Sequence, residues 1–518
     1  MRWTRRSGPS VGSYWWGVVL MRATLGSSVV QYMDQIEVIV VDQSGKTAGV
    51  VARIRRMVHD GTLREGDPLP STRALAAELG VARGTVVAAY DQLDGEGWIR
   101  TRHGAVARVV ASAGAATAAV PVVARPGVRP AATDPSVAPS ASVATAARIV
   151  DCRPGVPAVT AIAQRDWRAA WRAAADAPLR NAVADPLGTA ELRAQVVAQL
   201  GLGRGFAPSV DRVLLTAGTS EALSLVTEAL RVHLGRAPVF AVEDPGYRTG
   251  QRAVLSAGGT VVGIPLDDDG MDLDALMAAP PVDVVLVTPT HQYPLGSVMP
   301  VARRQRLLVW AAATGTLVVE DDYDSEFRHR GSPVPALAAL DTEGVVLHVG
   351  GFSKTLDPRL RCAYVVLPAA AARCGAAPDR SAAVLAARRA RGAVVAEPVQ
   401  VALAHLLRTG ALRRHLGRVR RDYTHRRARI AARLDGVAGL EARALTGGLH
   451  AVVVWSGPAT GRDVAARMAD DGVLVSTLEE YGMAPGSTPA GIVLGYGAVT
   501  VPELDRALDA LVAAVEQA

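Results

Sequence analysis

The sequence predicts an α/β protein in two unequal parts, a small winged helix-turn-helix followed by a large open α/β body. Three observations carry this expectation. Residues 112–148, SAGAATAAVPVVARPGVRPAATDPSVAPSASVATAAR, contain almost no large apolar side chain and cannot repay the entropy of ordering, so they read as a linker of coil and polyproline character. Before them, apolar residues recur at helical spacing and then alternate. After them, a short apolar run followed by a polar or glycine-rich loop recurs five times. At 518 residues the chain is too long for one ordinary domain. The expected division is an N-terminal extension at 1–45, the winged helix at 46–110, the linker at 111–150 and the body at 151–518.

The totals exclude several classes. With 49% hydrophobic and 20% charged residues the composition is that of a core-forming globular protein. Cys152, Cys362 and Cys374 are too few and too scattered for a disulfide framework or a zinc site, which points to a reducing compartment and a cytoplasmic protein with no metal. No apolar run reaches the roughly 18 residues that span a bilayer. The opening MRWTRRSGPSVGSYWWGVVLMR imitates a leader, but Arg22 interrupts it and no small-residue cleavage site follows. The net charge of +7 invites a nucleic-acid reading without establishing one.

In the N-terminal part, GVVARIRRMVHDG, GDPLPSTRALAAELG and VARGTVVAAYDQLDGEGW supply three helices, the second behind a Pro-Ser cap. ELGVARG is the short turn of a helix-turn-helix, and WIRTRHGAVARVV alternates around His103-Gly104 as a two-stranded wing would. Periodicity alone also fits any three-helix bundle. The residues go further: this stretch resembles the winged helix-turn-helix of GntR-type regulators, with its Leu-Pro-Ser-x-Arg start, Leu-Gly-Val turn and Thr-Val-x-x-Ala-Tyr recognition helix. The resemblance implies phosphate contacts from Ser71 and Arg73, base contacts in the major groove from Arg83 and Thr85, and wing contacts from Arg102, His103 and Gly104. Ala82 and Gly84 replace the usual Ser and Asn beside the recognition arginine, and the wing tip is Gly104-Ala105-Val106. Sequence readout then leans on Arg83.

In the body, VLLTAGTSEALSLVTEAL is a strand, a glycine turn and a helix whose first N–H groups, around Gly218, Thr219 and Ser220, form an anion site. PVFAVEDPGYR leads to Tyr247, VDVVLVTPTHQYPLG to a polar loop, TLVVEDDYDSEF to Asp321, Asp322 and Tyr323, and VVLHVGGFSKTL to Lys354. Ligands gather at the carboxyl ends of strands in such sheets. Of the 56 lysines and arginines only Lys46 and Lys354 are lysine. A primary amine can condense with an aldehyde, whereas a guanidinium cannot. A phosphate cradle, an aromatic, a carboxylate and a lone lysine together match pyridoxal 5'-phosphate (PLP). Singly each has a plain alternative: Tyr247 as core, TAGTSEA as an ordinary capped turn, and the aspartates as a Mg²⁺ site, although no Walker-type loop accompanies them.

TAGTSEAL, EDPGY, THQYPLG, EDDYDSEFR and FSKTLDPRLR, in that order, resemble the fold-type I aminotransferase domain of the MocR subgroup of GntR regulators, over nearly all of 151–518. The resemblance implies a large α/β domain with a smaller C-terminal α+β domain. It assigns the PLP Schiff base to Lys354, the ring nitrogen to Asp321, the ring hydroxyl to Tyr323, ring stacking to Tyr247 and the phosphate to Arg361, with Ser353 beside the lysine in the same site. Gly351 stands where a phosphate-binding Ser or Thr is usual. Members of the subgroup begin shortly before the first helix, so residues before Met33 are expected to be disordered or untranslated.

Two functions compete: a PLP-dependent transcription regulator, and an active aminotransferase with an appendage. In relatives that engage amino acids an arginine holding the substrate carboxylate lies near the last strand, but residues 487–497, STPAGIVLGYG, contain none. The regulator is therefore expected, not an enzyme beyond a residual half-reaction. Its partners would be double-stranded operator DNA, a second copy in a homodimer, and PLP as the favoured effector, with Arg248 the remaining candidate for a carboxylate.

Overall fold

The computed structural model describes residues 46–59, 62–64, 66–95, 98–100, 106–109, 149–327, 335–369, 380–484 and 486–517. The extension before Lys46 and the wing residues Arg102, His103 and Gly104 lie outside them, as do the linker residues 111–148 and Cys374.

Three helices, α1 (Lys46–His59), α2 (Thr72–Leu79) and α3 (Arg83–Gly95), precede the antiparallel pair β1 (Ile99–Arg100) and β2 (Arg108–Val109). Val50, Val51 and Ile54 of α1 form one face and pack with Leu75, Val86, Ala89, Leu93, Ile99 and Val109. Ser71 caps α2, its Oγ accepting from the Ala74 amide at 3.1 Å, and α2 ends at Gly80. The Tyr90 hydroxyl donates to the Pro70 carbonyl at 2.7 Å and ties α3 to the start of α2.

The rest begins with β3 (Val150–Asp151) and then builds a large sheet from β4 (Val213–Thr216), β5 (Val239–Asp244), β6 (Thr260–Asp267), β7 (Gly270–Met271), β8 (Val284–Val287), β9 (Leu317–Asp322), β10 (Val346–Gly351) and β11 (Ala363–Val366). Their spatial order is β4-β11-β10-β9-β8-β5-β6-β7. Strands β10, β9, β8, β5 and β6 are parallel, and β11 runs antiparallel to both β10 and β4. The carboxyl ends of β4, β5, β8, β9 and β10 therefore lie along one edge, as the sequence predicted. The leading residues of these strands are apolar because both faces are covered: Val284, Leu286, Leu317 and Val319 pack on one side, and Val285, Val287 and Val318 on the other.

A second, antiparallel sheet follows, with β12 (Leu440–Arg443), β13 (His450–Trp455), β15 (Ser476–Thr477) and β16 (Gly491–Gly495) in the order β12-β13-β16-β15, while β14 (Val473–Leu474) pairs with β3. Alternate residues of β13 and β16 enter the main core, and Val452, Val454 and Val493 face Tyr481 and Tyr293 instead.

Candidate functional site

Five strand ends deliver the groups. Thr216 closes β4, and Gly218 then turns into the helix Thr219–Leu234 with φ +111°, a conformation that favours glycine. A Cβ there would stand 3.3 Å from the Arg361 guanidinium, so that arginine lies against the helix start. Arg361 is itself held in the left-handed region, φ 45°, a strained setting for a side chain. Free helix N–H groups, a positive dipole end and a guanidinium converge here on an anion-binding geometry. Ser220 hydrogen-bonds the Tyr247 hydroxyl, whose ionisation is suppressed by burial and by the charge of Asp321.

Asp321, the fifth residue of β9, is 5% exposed, and its Oδ1 has no hydrogen-bond partner among the described residues. Burial, reinforced by the neighbouring Asp322 carboxylate, pushes its pKa up to about 7, against the pull of His348 and Lys354. An unsatisfied buried carboxyl is costly, and it fits a donor brought by a ligand. Lys354, in the loop after β10, donates from Nζ to the Gly155 carbonyl at 2.7 Å. Burial pushes the lysine pKa down, with Asp324 and Asp321 opposing, which favours the neutral amine a nucleophile needs. Ser353 is half-buried beside it. Gly351 pairs with Ala363 at the strand end and offers no hydroxyl.

The frame behind these groups is polar and buried. Arg204 pairs with Asp322 at 2.6 Å and donates to Thr290 at 2.9 Å. The Glu320 carboxylate accepts from the Leu337 and Ala338 amides at 2.6 and 3.0 Å and meets His348 at 2.9 Å. Burial opposes its ionisation, but His348 and Arg204 hold it below the ordinary carboxylate range. Such pairs fix β9, and with it Asp321, to its neighbours.

Tyr323 directs its hydroxyl to His291 Nδ1 at 3.0 Å, and the same nitrogen meets Asp324 at 2.8 Å. His450 lies 5.3 Å from His291 between ring centres, and burial pushes its pKa down to about 4. His291, Asp324 and His450 bring ligand-type atoms within 4.8 Å of one another. His291 Nδ1 is shared by Asp324 and Tyr323 and His450 Nε2 meets the Pro294 carbonyl, while His291 Nε2 is buried without a partner among the described residues. Tyr293 and Tyr481 share a hydroxyl–hydroxyl bond of 3.0 Å. These two tyrosines, the His291–Asp324 pair and the Gly155 carbonyl are not singled out by the sequence. The motifs THQYPLG and EDDYDSEFR contain His291, Tyr293 and Asp324 without revealing who pairs with whom.

Gly218, Thr219, Ser220, Tyr247, Asp321, Tyr323, Ser353, Lys354 and Arg361 thus come to one sheet edge. In the N-terminal part, Arg83 opens α3 and its Nε lies 3.5 Å from Thr72 Oγ1. Arg83, Gly84, Val87, Ala88 and Asp91 form the exposed face of α3, with Arg73 exposed on α2 and Thr85 half-buried. The Ser71 hydroxyl is engaged in the cap.

Residues 46–109 match the family of bacterial regulatory proteins, gntR family. Over 451 residues the chain is 36% identical to the HTH-type pyridoxine biosynthesis transcriptional regulator PdxR of Corynebacterium glutamicum, covering 86% of this chain and 90% of that one. It is 32% identical over 384 residues to the probable rhizopine catabolism regulatory protein MocR of Rhizobium meliloti, covering 72% and 74%. The chain belongs to the MocR-type GntR regulators. It is a helix-turn-helix transcription regulator with an aminotransferase-like domain. A kynurenine aminotransferase of Pyrococcus horikoshii, solved with PMP and KYN as substrates and KYA as products, superposes with a TM-score of 0.62 at 25% identity, over 71% of this chain and 91% of that one. The fold of this MocR-type regulator is accordingly fold-type I. Among its described residues no helix is long and apolar enough to cross a membrane.

Proposed function

We propose that the chain is a PLP-responsive, operator-binding regulator, divided into a winged helix at 46–110, a linker at 111–150 and an effector domain at 151–518, and acting as a cytoplasmic homodimer. The observation that carries the PLP reading is Asp321 Oδ1, buried without a partner beside an amine whose pKa is lowered. Bound there, PLP supplies an aldehyde for the lysine, a basic ring nitrogen and a phosphate. Asp321 would accept from the ring nitrogen, Tyr247 would cover the ring, and Tyr323 would meet its hydroxyl. Gly218, Thr219, Ser220, Ser353 and Arg361 would hold the phosphate. The missing hydroxyl at Gly351 removes one contact from that set.

PLP itself, rather than an amino acid, is the effector this site favours. An amino acid must have its carboxylate paired, because an unpaired buried anion is costly. Strand β16 is buried and carries no arginine, and its Val493 packs with Val452, Val454, Leu478 and Tyr481. Arg248 is already engaged, donating to Gln251 at 2.5 Å. The name of the Corynebacterium relative, a regulator of pyridoxine biosynthesis, agrees with this choice. Titrating PLP-loaded protein with a panel of amino acids is expected to leave both the absorbance band and DNA affinity unchanged. A saturable change in both for any one amino acid overturns the choice of effector.

For DNA, Ser71, Arg73, Arg83, Thr85 and the wing residues Arg102, His103 and Gly104 are the proposed contacts. Arg83→Ala should cost about 1 to 3 kcal/mol on the specific site and relax sequence preference. Arg73→Ala should weaken binding to all sequences and reduce its salt dependence. Footprinting and salt titration on the protein's own upstream region measure both. Unchanged affinity and salt slope in both variants would remove the assignment of α2 and α3 to DNA.

A further inference from the structure

We propose that the hydrogen bond from Lys354 to the Gly155 carbonyl is a latch, opened when an aldehyde ligand captures the lysine, which frees the segment leading in sequence from the effector domain towards the DNA-binding residues. The inference rests on the PLP reading above and assigns it a route of transmission.

The segment Val150–Ala158 is held at several points, only one of which is a ligand-reactive group. The Val150 and Cys152 amides donate to the Gly472 and Leu474 carbonyls at 2.9 and 2.8 Å, and the Cys152 carbonyl accepts from the Gly495 amide at 2.6 Å. At its far end the Ala158 amide donates to the Tyr423 hydroxyl at 2.8 Å. Between these points the chain arches over Lys354. Gly155 takes φ +108°, and a Cβ there would lie 2.9 Å from Lys354 Nζ. Only glycine admits both that backbone conformation and that approach. Six residues upstream, Ile149 lies at the end of the linker sequence.

The chemistry of capture removes the donor. As the neutral amine attacks the aldehyde, a C=N bond forms and the C=O bond breaks. The carbonyl oxygen leaves as water with both amine hydrogens, so the nitrogen keeps at most one added proton. The nitrogen is then bonded to the ligand and no longer offers the Gly155 carbonyl its former N–H. A carbonyl that loses its partner away from water favours a conformation in which it finds another. The winged helices would respond only as far as the two states of the segment differ in their affinity for ligand.

The test is hydrogen–deuterium exchange on the full-length protein, with and without PLP, followed by borohydride reduction and mass analysis of the Lys354 peptide. The variant is Lys354→Met, which keeps the apolar stem and removes the donor. Peptides containing Cys152–Ala158 are expected to exchange about tenfold faster when PLP is added to the wild type, as loss of one hydrogen bond would produce. Lys354→Met should exchange at the fast rate whether or not PLP is present. Slow exchange in Lys354→Met, or an unchanged rate in wild type that carries the PLP adduct, overturns the latch and leaves the PLP reading standing. Fast exchange in Lys354→Met with no adduct on the wild type sustains the latch and defeats the PLP reading. Acceleration spread equally over β8 and β9 indicates general loosening and also overturns the latch.

Discussion

Lys354→Ala is expected to abolish covalent retention of PLP completely while leaving the fold in place. After borohydride reduction, the wild-type peptide containing Lys354 should carry the mass of the reduced cofactor, and the variant should carry none and lose the yellow band. The effect is total because no other described amine is available to the site. The chain has one further lysine, Lys46, at the start of α1 in the winged helix. Arginine cannot substitute, since its guanidinium stays protonated and is a poor nucleophile, so Lys354→Arg should fail equally. The fold should persist because, among the described residues, the side chain makes one hydrogen bond, to Gly155, and supports no strand pairing. An adduct that survives in Lys354→Ala would sink the assignment.

Asp321→Asn is the second large effect, and it has two readouts. Removing the carboxylate opposite the ring nitrogen should weaken PLP affinity by about 1.5 to 3 kcal/mol, roughly one to two orders of magnitude. The pH dependence of stability in the PLP-free protein should change as well. Burial raises the Asp321 pKa from 3.8 to about 7 in the folded state, so the folded chain keeps a proton that the unfolded chain releases. The stabilising contribution is fully present below pH 4 and is lost as the pH rises towards 7. Glu243 and Glu326 are also raised to about 7, so the wild-type slope is a sum. Thermal melts across pH 4 to 8 should show a shallower loss in Asp321→Asn than in wild type. Parallel curves would show that Asp321 is not the buried, unsatisfied acid described above.

Much of the fold was legible because its strands are covered on both faces. Such strands read as short continuous apolar runs, and β4, β5, β8, β9 and β10 all fall within the runs expected of them. The same holds for α2, whose cap at Ser71 and end at Gly80 follow from local backbone chemistry. The candidate site was legible wherever one residue type carries the chemistry alone: a rare lysine, a carboxylate at a strand end, a glycine turn before a helix.

What the sequence by itself determined, then, is the inventory: which residues are chemically able to hold an aldehyde, a ring nitrogen and a phosphate, and which strand ends carry them. Only the tertiary structure decided the pairings. That Tyr323 meets His291, that Asp321 and Asp322 each keep a buried oxygen unpaired while Arg204 takes the other Asp322 oxygen, and that Lys354 touches a carbonyl 199 residues earlier all depend on contacts distant in sequence. Periodicity and propensity act over a few neighbouring residues, whereas a buried polar group's partner is chosen by packing, which brings together chains that share no local signature.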